Sequence, residues 1–213
     1  MVSEYDTEVV DINGDGNLNV LIFGSNPGWR EYIDNEVTWG GSFTGTGGSG
    51  RSIAADTGDM DGDGDVDYVL AHDTYDQINI YENDGATDPS FTKSNIIPSH
   101  SPDSPMDVHF GDIDGDGDLD IIAAHKNDNT ITWYENDGGA DPSWTATNIT
   151  TSHTGVKDVH LADFDGDGDL DVTAINYDSG TATSTINWYE NCLLYTSDAA
   201  DEGLGVDLGG RRI

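Results

Sequence analysis

Apolar residues along the chain come in short runs, divided by clusters of Asp, Gly, Asn and Ser. Residues 106–113, MDVHFGDI, alternate in part between apolar and polar and predict a strand. Residues 119–125, LDIIAAH, form a largely apolar run and predict a strand buried on both faces. TITWYEN, 130–136, is rich in β-branched and aromatic residues and predicts a third strand, closed by the turn residues Asp137, Gly138 and Gly139. SWTATNIT, 143–150, predicts a fourth. No segment carries a helical period, so the pattern predicts antiparallel all-β structure.

The same order recurs. Acidic nine-residue stretches begin at residues 11, 59, 112 and 163: DINGDGNLN, DMDGDGDVD, DIDGDGDLD and DFDGDGDLD. INIYENDG from Ile78, ITWYENDG from Ile131 and INWYEN from Ile186 keep the same spacing. So do DPSFTKSNI from Asp88 and DPSWTATNI from Asp141. Four short strands per unit of roughly 40–50 residues is the arithmetic of β-propeller blades. The expected blades are residues 5–50, 51–104, 105–154 and 155–191, about four in all, in an open propeller. Blade one is degenerate: its loop carries Asn three times, YIDN at 32–35 only loosely echoes YEND, and GGSFTGTGGSG at 40–50 reads as a flexible surface excursion.

Charge changes the picture next. Seven Lys and Arg face 42 Asp and Glu, a formal net charge of -35. That excludes nucleic acid and anionic membrane surfaces as partners, since both need basic patches. No run is long and apolar enough to insert in a bilayer, and the N-terminus lacks a signal-peptide pattern.

The acid is concentrated in the repeated loops. Numbered from Asp112, positions 1, 3 and 5 bring carboxylates to one side of a tight turn. Position 7 offers its main-chain carbonyl, position 9 adds a carboxylate, and glycine at position 6 permits the turn. Two like charges about 4 Å apart repel by about 1 kcal/mol in water and about 4 kcal/mol at intermediate dielectric. A divalent ion reverses that sign. Hard oxygen ligands without Cys or His point to Ca2+ rather than zinc or copper, and the ligand number and flexibility favour it over magnesium. The candidate ligands are Asp59, Asp61, Asp63, Asp65 and Asp67; Asp112, Asp114, Asp116, Asp118 and Asp120; and Asp163, Asp165, Asp167, Asp169 and Asp171. Asp11, Asn13, Asp15, Asn17 and Asn19 form a weaker fourth set, two carboxylates short. An EF-hand needs Glu at position 12 and flanking helices, but Leu70, Ala123 and Ala174 stand there in strand-like runs.

With these loops and WYEN segments, the chain resembles the FG-GAP/VCBS-type repeat family, calcium-loop propellers related to integrin α-subunit heads. The resemblance spans residue 5 to about 191. It implies side-chain ligands at positions 1, 3, 5 and 9 of the three full loops, and main-chain oxygens from Asp65, Asp118 and Asp169. It also implies a secreted or cell-surface location and propellers of about seven blades, whereas four are visible here.

After Asn191 the repeat stops. CLLYTSDAADEGLGVDLGGRRI, 192–213, resembles translated sequencing-adapter sequence and is expected to be non-native, with the natural chain continuing past Asn191. Cys192, the sole cysteine, then carries no redox information.

The histidine pairs His72/His125, His109/His160 and His100/His153 recur with the blades, which favours packing roles over catalysis. Trp133 and Trp188 read as core. No nucleophile elbow, P-loop or HExxH motif occurs, and no carboxylate pair stands out for glycoside hydrolysis. The expected function is an extracellular calcium-binding module for adhesion or for binding a protein or polysaccharide. The alternative is the propeller domain of a secreted polysaccharide-degrading lyase or hydrolase. That would require a cluster of Lys, Arg, His or Tyr outside the repeat, for which the basic residues look too few.

Overall fold

A computed structural model describes residues 6–23, 28–33, 36–42, 52–72, 75–96, 104–178, 180 and 183–191. His100, the glycine-rich stretch beyond Ser42 and the adapter-like tail lie outside these residues. Among the described residues the structure is entirely strand and turn, and no helix is long and apolar enough to cross a membrane.

Blade one holds β1 (Thr7–Val10), β2 (Asn19–Ile22), β3 (Gly28–Ile33) and β4 (Glu36–Ser42). Blade two holds β5 (Ser52–Gly58), β6 (Asp67–His72), β7 (Gln77–Asn83) and β8 (Phe91–Asn95). Blade three holds β9 (Pro105–Gly111), β10 (Asp120–His125), β11 (Thr130–Asn136) and β12 (Trp144–Thr150). Blade four shows β13 (Val156–Ala162), β14 (Asp171–Asp178) and β15 (Thr183–Tyr189). Each sheet is an antiparallel meander in chain order, the blade architecture of an incomplete β-propeller. The degenerate loop of blade one did not cost it a strand. The expected glycine-rich excursion begins later than its sequence suggests: Gly40, Gly41 and Ser42 belong to β4, and the Trp29 indole lies where a Cβ on Gly40 would stand.

Period-two alternation explains why the second strands look continuously apolar. In β6, Tyr68 and Leu70 pack toward Ile12, Leu21, Phe23 and Trp29 of blade one. Val69 and Ala71 face the other way, with Met60, Ile78 and Ile80, onto Val108, Ile121, Ala123 and Tyr134 of blade three. In turn Ile113, Ile122, Ala124, Ile131 and Trp133 cover Val156, Val159, Val172, Ala174 and Tyr189 of blade four. Each interior blade therefore has two buried faces, and the core is a stack of inter-blade layers. Gly111 permits close approach, since a Cβ there would stand 2.5 Å from Leu161 of the next blade.

The first strands of neighbouring blades lie beside one another. A carboxylate of each accepts a main-chain N–H of the next: Ala55 donates to Asp6, Phe110 to Asp56 and Val159 to Asp107, all at 2.8 Å. His109 joins this ladder, with Nδ1 3.3 Å from Asp56 and Nε2 3.5 Å from Asp107. Its ring meets His160 edge-on at 5.7 Å between centroids. Burial alone would lower the His109 pKa; its bonds to Asp107 and Asp56 and their charges outweigh that and raise it to about 10. Glu8 and Asp158 complete the acidic surroundings, each held above the usual carboxylate range by burial first and by neighbouring acids second.

A histidine raised in the folded state stabilises fully below its unfolded pKa of about 6.5, and loses that contribution as pH rises through the folded value. His109→Gln should therefore destabilise most near pH 6. The gap from wild type should close between about pH 6.5 and 10. Chemical denaturation of both proteins across that range measures it, and a pH-independent gap would contradict the ion-pair assignment.

Candidate metal centres

Each loop joins the first and second strands of its blade, so the sheet fixes both of its ends. Within it the aspartates form successive Asx turns. In the second loop Asp63 N–H donates to Asp61 at 3.2 Å and Asp65 N–H to Asp63 at 2.9 Å. Asp116 and Asp118 repeat the pattern onto Asp114 and Asp116, as do Asp167 and Asp169 onto Asp165 and Asp167. The N–H at position 6 returns to the position-1 carboxylate: Gly64 to Asp59, Gly117 to Asp112, Gly168 to Asp163, and Gly16 to Asp11 in the weaker loop. Glycine is required at positions 4 and 6 alike, with φ of 76° at Gly115 and 101° at Gly117. Only the second of these is evident by analogy with the EF-hand.

The curl brings carboxylate oxygens together. Asp59, Asp61 and Asp67 converge so that one oxygen from each lies within 4.8 Å of the others. Asp163, Asp165 and Asp171 do the same, and in blade three the set is Asp112, Asp114 and Asp116. Positions 1 and 3 are thus common to all three, joined by position 9 in two and by position 5 in one. Asp63, Asp167 and Asp120 lie outside these tight groups. The loop of blade one forms no such cluster among the described residues. Its Asn13 side chain donates instead to Glu31 at 2.9 Å.

The donor set fits a hard cation. Asp112 Oδ1 is buried without a hydrogen-bond partner, an expensive arrangement for a carboxylate that nothing compensates. Burial, together with the Asp63 and Asp59 charges, holds Asp61 above the ordinary carboxylate range. Burial and the Asp116 charge do the same to Asp114. Partial desolvation with the Asp167 and Asp171 charges raises Asp165. A divalent ion at these groups would oppose every one of those shifts.

Position 9 has a second task. Both oxygens of Asp120 accept main-chain N–H groups, from Ile113 at 3.1 Å and from Asn136 at 2.9 Å. Asp67 accepts from Met60 and Asn83, and Asp171 from Phe164 and Asn191. Burial raises Asp67 to about 7 and Asp120 to about 6, against these bonds. The asparagine is itself a staple: the Asn136 side-chain amide donates to Leu119 of its own loop at 3.1 Å and to Met60 of the preceding blade's loop at 2.8 Å. Asn83 repeats this onto Val66 and Ile12, and Asn191 onto Leu170 and Ile113. A hydrogen-bonded relay therefore runs from loop to loop across all four blades. Sequence reading used the YEN repeat only as a strand marker, although Asn recurs there in all three copies.

Position 7 turns its side chain away from the loop. The Asp65 and Asp118 carboxylates occupy the space where a Cβ would stand on Gly85 and Gly138, both at positive φ. This explains the Asp-Gly that follows YEN. The preceding aspartates close the same turns: Asp84 accepts Ser90 N–H at 3.0 Å, and Asp137 accepts Ser143 N–H at 3.0 Å.

Of the recurring histidines, His72, His125 and His153 are buried, whereas His160 is exposed and His109 half-buried. His125 is buried, with Nε2 3.2 Å from the Tyr134 hydroxyl, and His153 Nδ1 lies 2.6 Å from the Tyr189 hydroxyl. The tryptophans divide. Trp133 is core, but Trp188 is exposed, because no described blade lies over that side of blade four. Basic residues are less scattered than the sequence suggests. Lys126 and Lys157 line one cleft of about 370 Å³ between blades three and four, with Asn127, Asn129 and Tyr177. Lys157 Nζ sits 5.0 Å from the Tyr177 ring centroid. Neither lysine recurs at the matching positions of other blades.

In comparisons with known proteins, a family model described as FG-GAP-like repeat matches residues 59–123 and again 113–174. Each match begins within one aspartate loop and extends past the next. No curated protein matches the chain.

Proposed function

Because the chain belongs to the FG-GAP-like repeat family, we propose that it is a calcium-stabilised propeller module that presents a binding surface to a polysaccharide or protein outside the cell. The observation that carries this reading is the convergence of three carboxylates in each of three successive loops. Asp59, Asp61 and Asp67, then Asp112, Asp114 and Asp116, then Asp163, Asp165 and Asp171 would hold the ions. The role of the cation is structural: it neutralises the turn and fixes the hairpin between first and second strands. An affinity of about 0.1–1 mM suits extracellular calcium.

The Lys126–Lys157–Tyr177 cleft favours a ligand with anionic groups next to an apolar ring face, as in acidic polysaccharides. A polysaccharide and protein array, probed in calcium, tests this. Retention on acidic polysaccharides, weakened about tenfold by the exposed double change Lys126→Glu and Lys157→Glu, is expected from two lost charge-assisted contacts. No retention on any spot would instead make the domain a spacer. Release of new sugar chain ends would favour the polysaccharide-degrading alternative.

A further inference from the structure

Each full loop shares a peptide group with the blade that follows it. The Met60 N–H donates to Asp67 of its own loop at 2.9 Å, while the Met60 carbonyl accepts the Asn136 side chain of blade three at 2.8 Å. The Asn136 main-chain N–H donates to Asp120 at 2.9 Å, and the other Asp120 oxygen accepts the Ile113 N–H at 3.1 Å. The Ile113 carbonyl then accepts the Asn191 side chain at 2.7 Å, and the Asn191 N–H donates to Asp171 at 2.8 Å. The position-9 carboxylates of the three full loops are thus joined end to end by hydrogen bonds. All three carboxylates and both asparagines are buried, so water does not compete for these bonds. Asn136 has little freedom to turn, since its amide also donates to Leu119 and its Oδ1 accepts the Gly138 N–H at 3.0 Å.

The relay ends on groups that converge for a cation. Asp67 and Asp171 each join positions 1 and 3 of their own loops. In blade three the convergent set is Asp112, Asp114 and Asp116, and Ile113 lies between the first two, so its peptide moves with that set. Like-charge crowding opposes each closed loop when it is empty. Closing loop two on an ion fixes the Met60 peptide and Asp67 together. The Met60 carbonyl then holds Asn136, which holds Asp120 and, through it, the Ile113 peptide. Part of the ordering that loop three needs is complete before its own ion arrives, which is the condition for positive coupling between sites.

We propose that Asn136 and Asn191 are positioning residues that couple the three cation sites, so that calcium fills them with positive cooperativity. The proposal rests on the calcium reading but concerns the relation between the sites. A filled loop should raise its neighbour's affinity by about five- to tenfold. Asn83 supplies an internal control. It makes the same pair of side-chain bonds, to Val66 and Ile12, yet it joins loop two to the loop of blade one, which forms no convergent carboxylate group among the described residues. Removing it breaks equivalent bonds and separates no two full loops.

Calcium titration of the full chain by equilibrium dialysis gives both the count and the steepness. The expected Hill coefficient is about 1.5–2. Asn136→Ala should bring it close to 1 and raise the half-filling concentration about threefold or more, whereas Asn83→Ala should keep the wild-type coefficient. A purely structural role would move both variants alike. Near-UV circular dichroism checks that both fold. Asp112→Asn with Asp114→Asn gives a second route that leaves the asparagines intact: with the middle loop disabled, the two remaining ions should bind with a coefficient near 1. A coefficient of 1 in the unaltered chain, equal losses in Asn83→Ala and Asn136→Ala, or steep binding that survives loss of the middle loop would overturn the coupling while leaving the calcium reading in place. A count of zero would overturn the calcium reading and the coupling with it.

Discussion

Excess chelator should lower the melting temperature by about 10–30 °C from its value in about 10 mM calcium. The estimate follows from mass action. An ion held with a dissociation constant of about 0.1–1 mM contributes about 1.4–2.7 kcal/mol at that concentration. Three such loops contribute about 4–8 kcal/mol in total, and 1 kcal/mol moves the midpoint by about 2–4 °C in a domain of this size. The physical source is the like-charge crowding within each loop, which bound calcium would neutralise in the folded state and which the unfolded chain relieves by expanding. Magnesium at equal concentration should recover less than half of the shift, since it prefers to keep its water and an octahedral shell. Scanning calorimetry in calcium, magnesium and chelator measures all three, and coincident midpoints would remove the cation from the account.

The second large effect belongs to a residue that the loop motif presents as one ligand among several. Asp120→Ala should destabilise the protein by about 2–5 kcal/mol even in chelator, because the N–H groups of Ile113 and Asn136 lose their shared acceptor in a buried setting. The midpoint should fall by about 5–20 °C. By contrast Asp116→Ala, at an exposed position, should cost little in chelator and act through calcium affinity. Comparing the two variants with and without calcium separates the roles. If Asp120→Ala matched wild type in chelator, the carboxylate would be a ligand and nothing more.

The sequence made the blades legible for a simple reason. A strand buried on both sides is apolar at every inward position, as Ile121 to Ala124 are, and a turn with φ near 100° strongly favours glycine, as at Gly117. Repetition then turned one such reading into four. The convergence of the carboxylates at positions 1 and 3 was legible because the same acids recur at the same spacing in three loops. The double duty of Asp67, Asp120 and Asp171 was hidden, since a carboxylate looks the same whether it faces an ion or a pair of backbone N–H groups. The asparagine staples were hidden too: their partners, such as Met60 for Asn136, lie 76 residues away in the neighbouring blade. The lysine cleft was missed because Lys126 and Lys157 are brought together only by the packing of blade four on blade three. Trp188 departs from its copy Trp133 for the same reason in reverse. Its own strand is unchanged, but no described blade covers it.

Counting the calcium bound per chain by equilibrium dialysis tests the central idea most directly. Three ions per chain are expected from the three convergent loops, with the loop of blade one weaker or silent. Asp112→Asn together with Asp114→Asn should lower the count by one and leave the other two in place. A count below one, or one that ignores those two substitutions, would contradict the account.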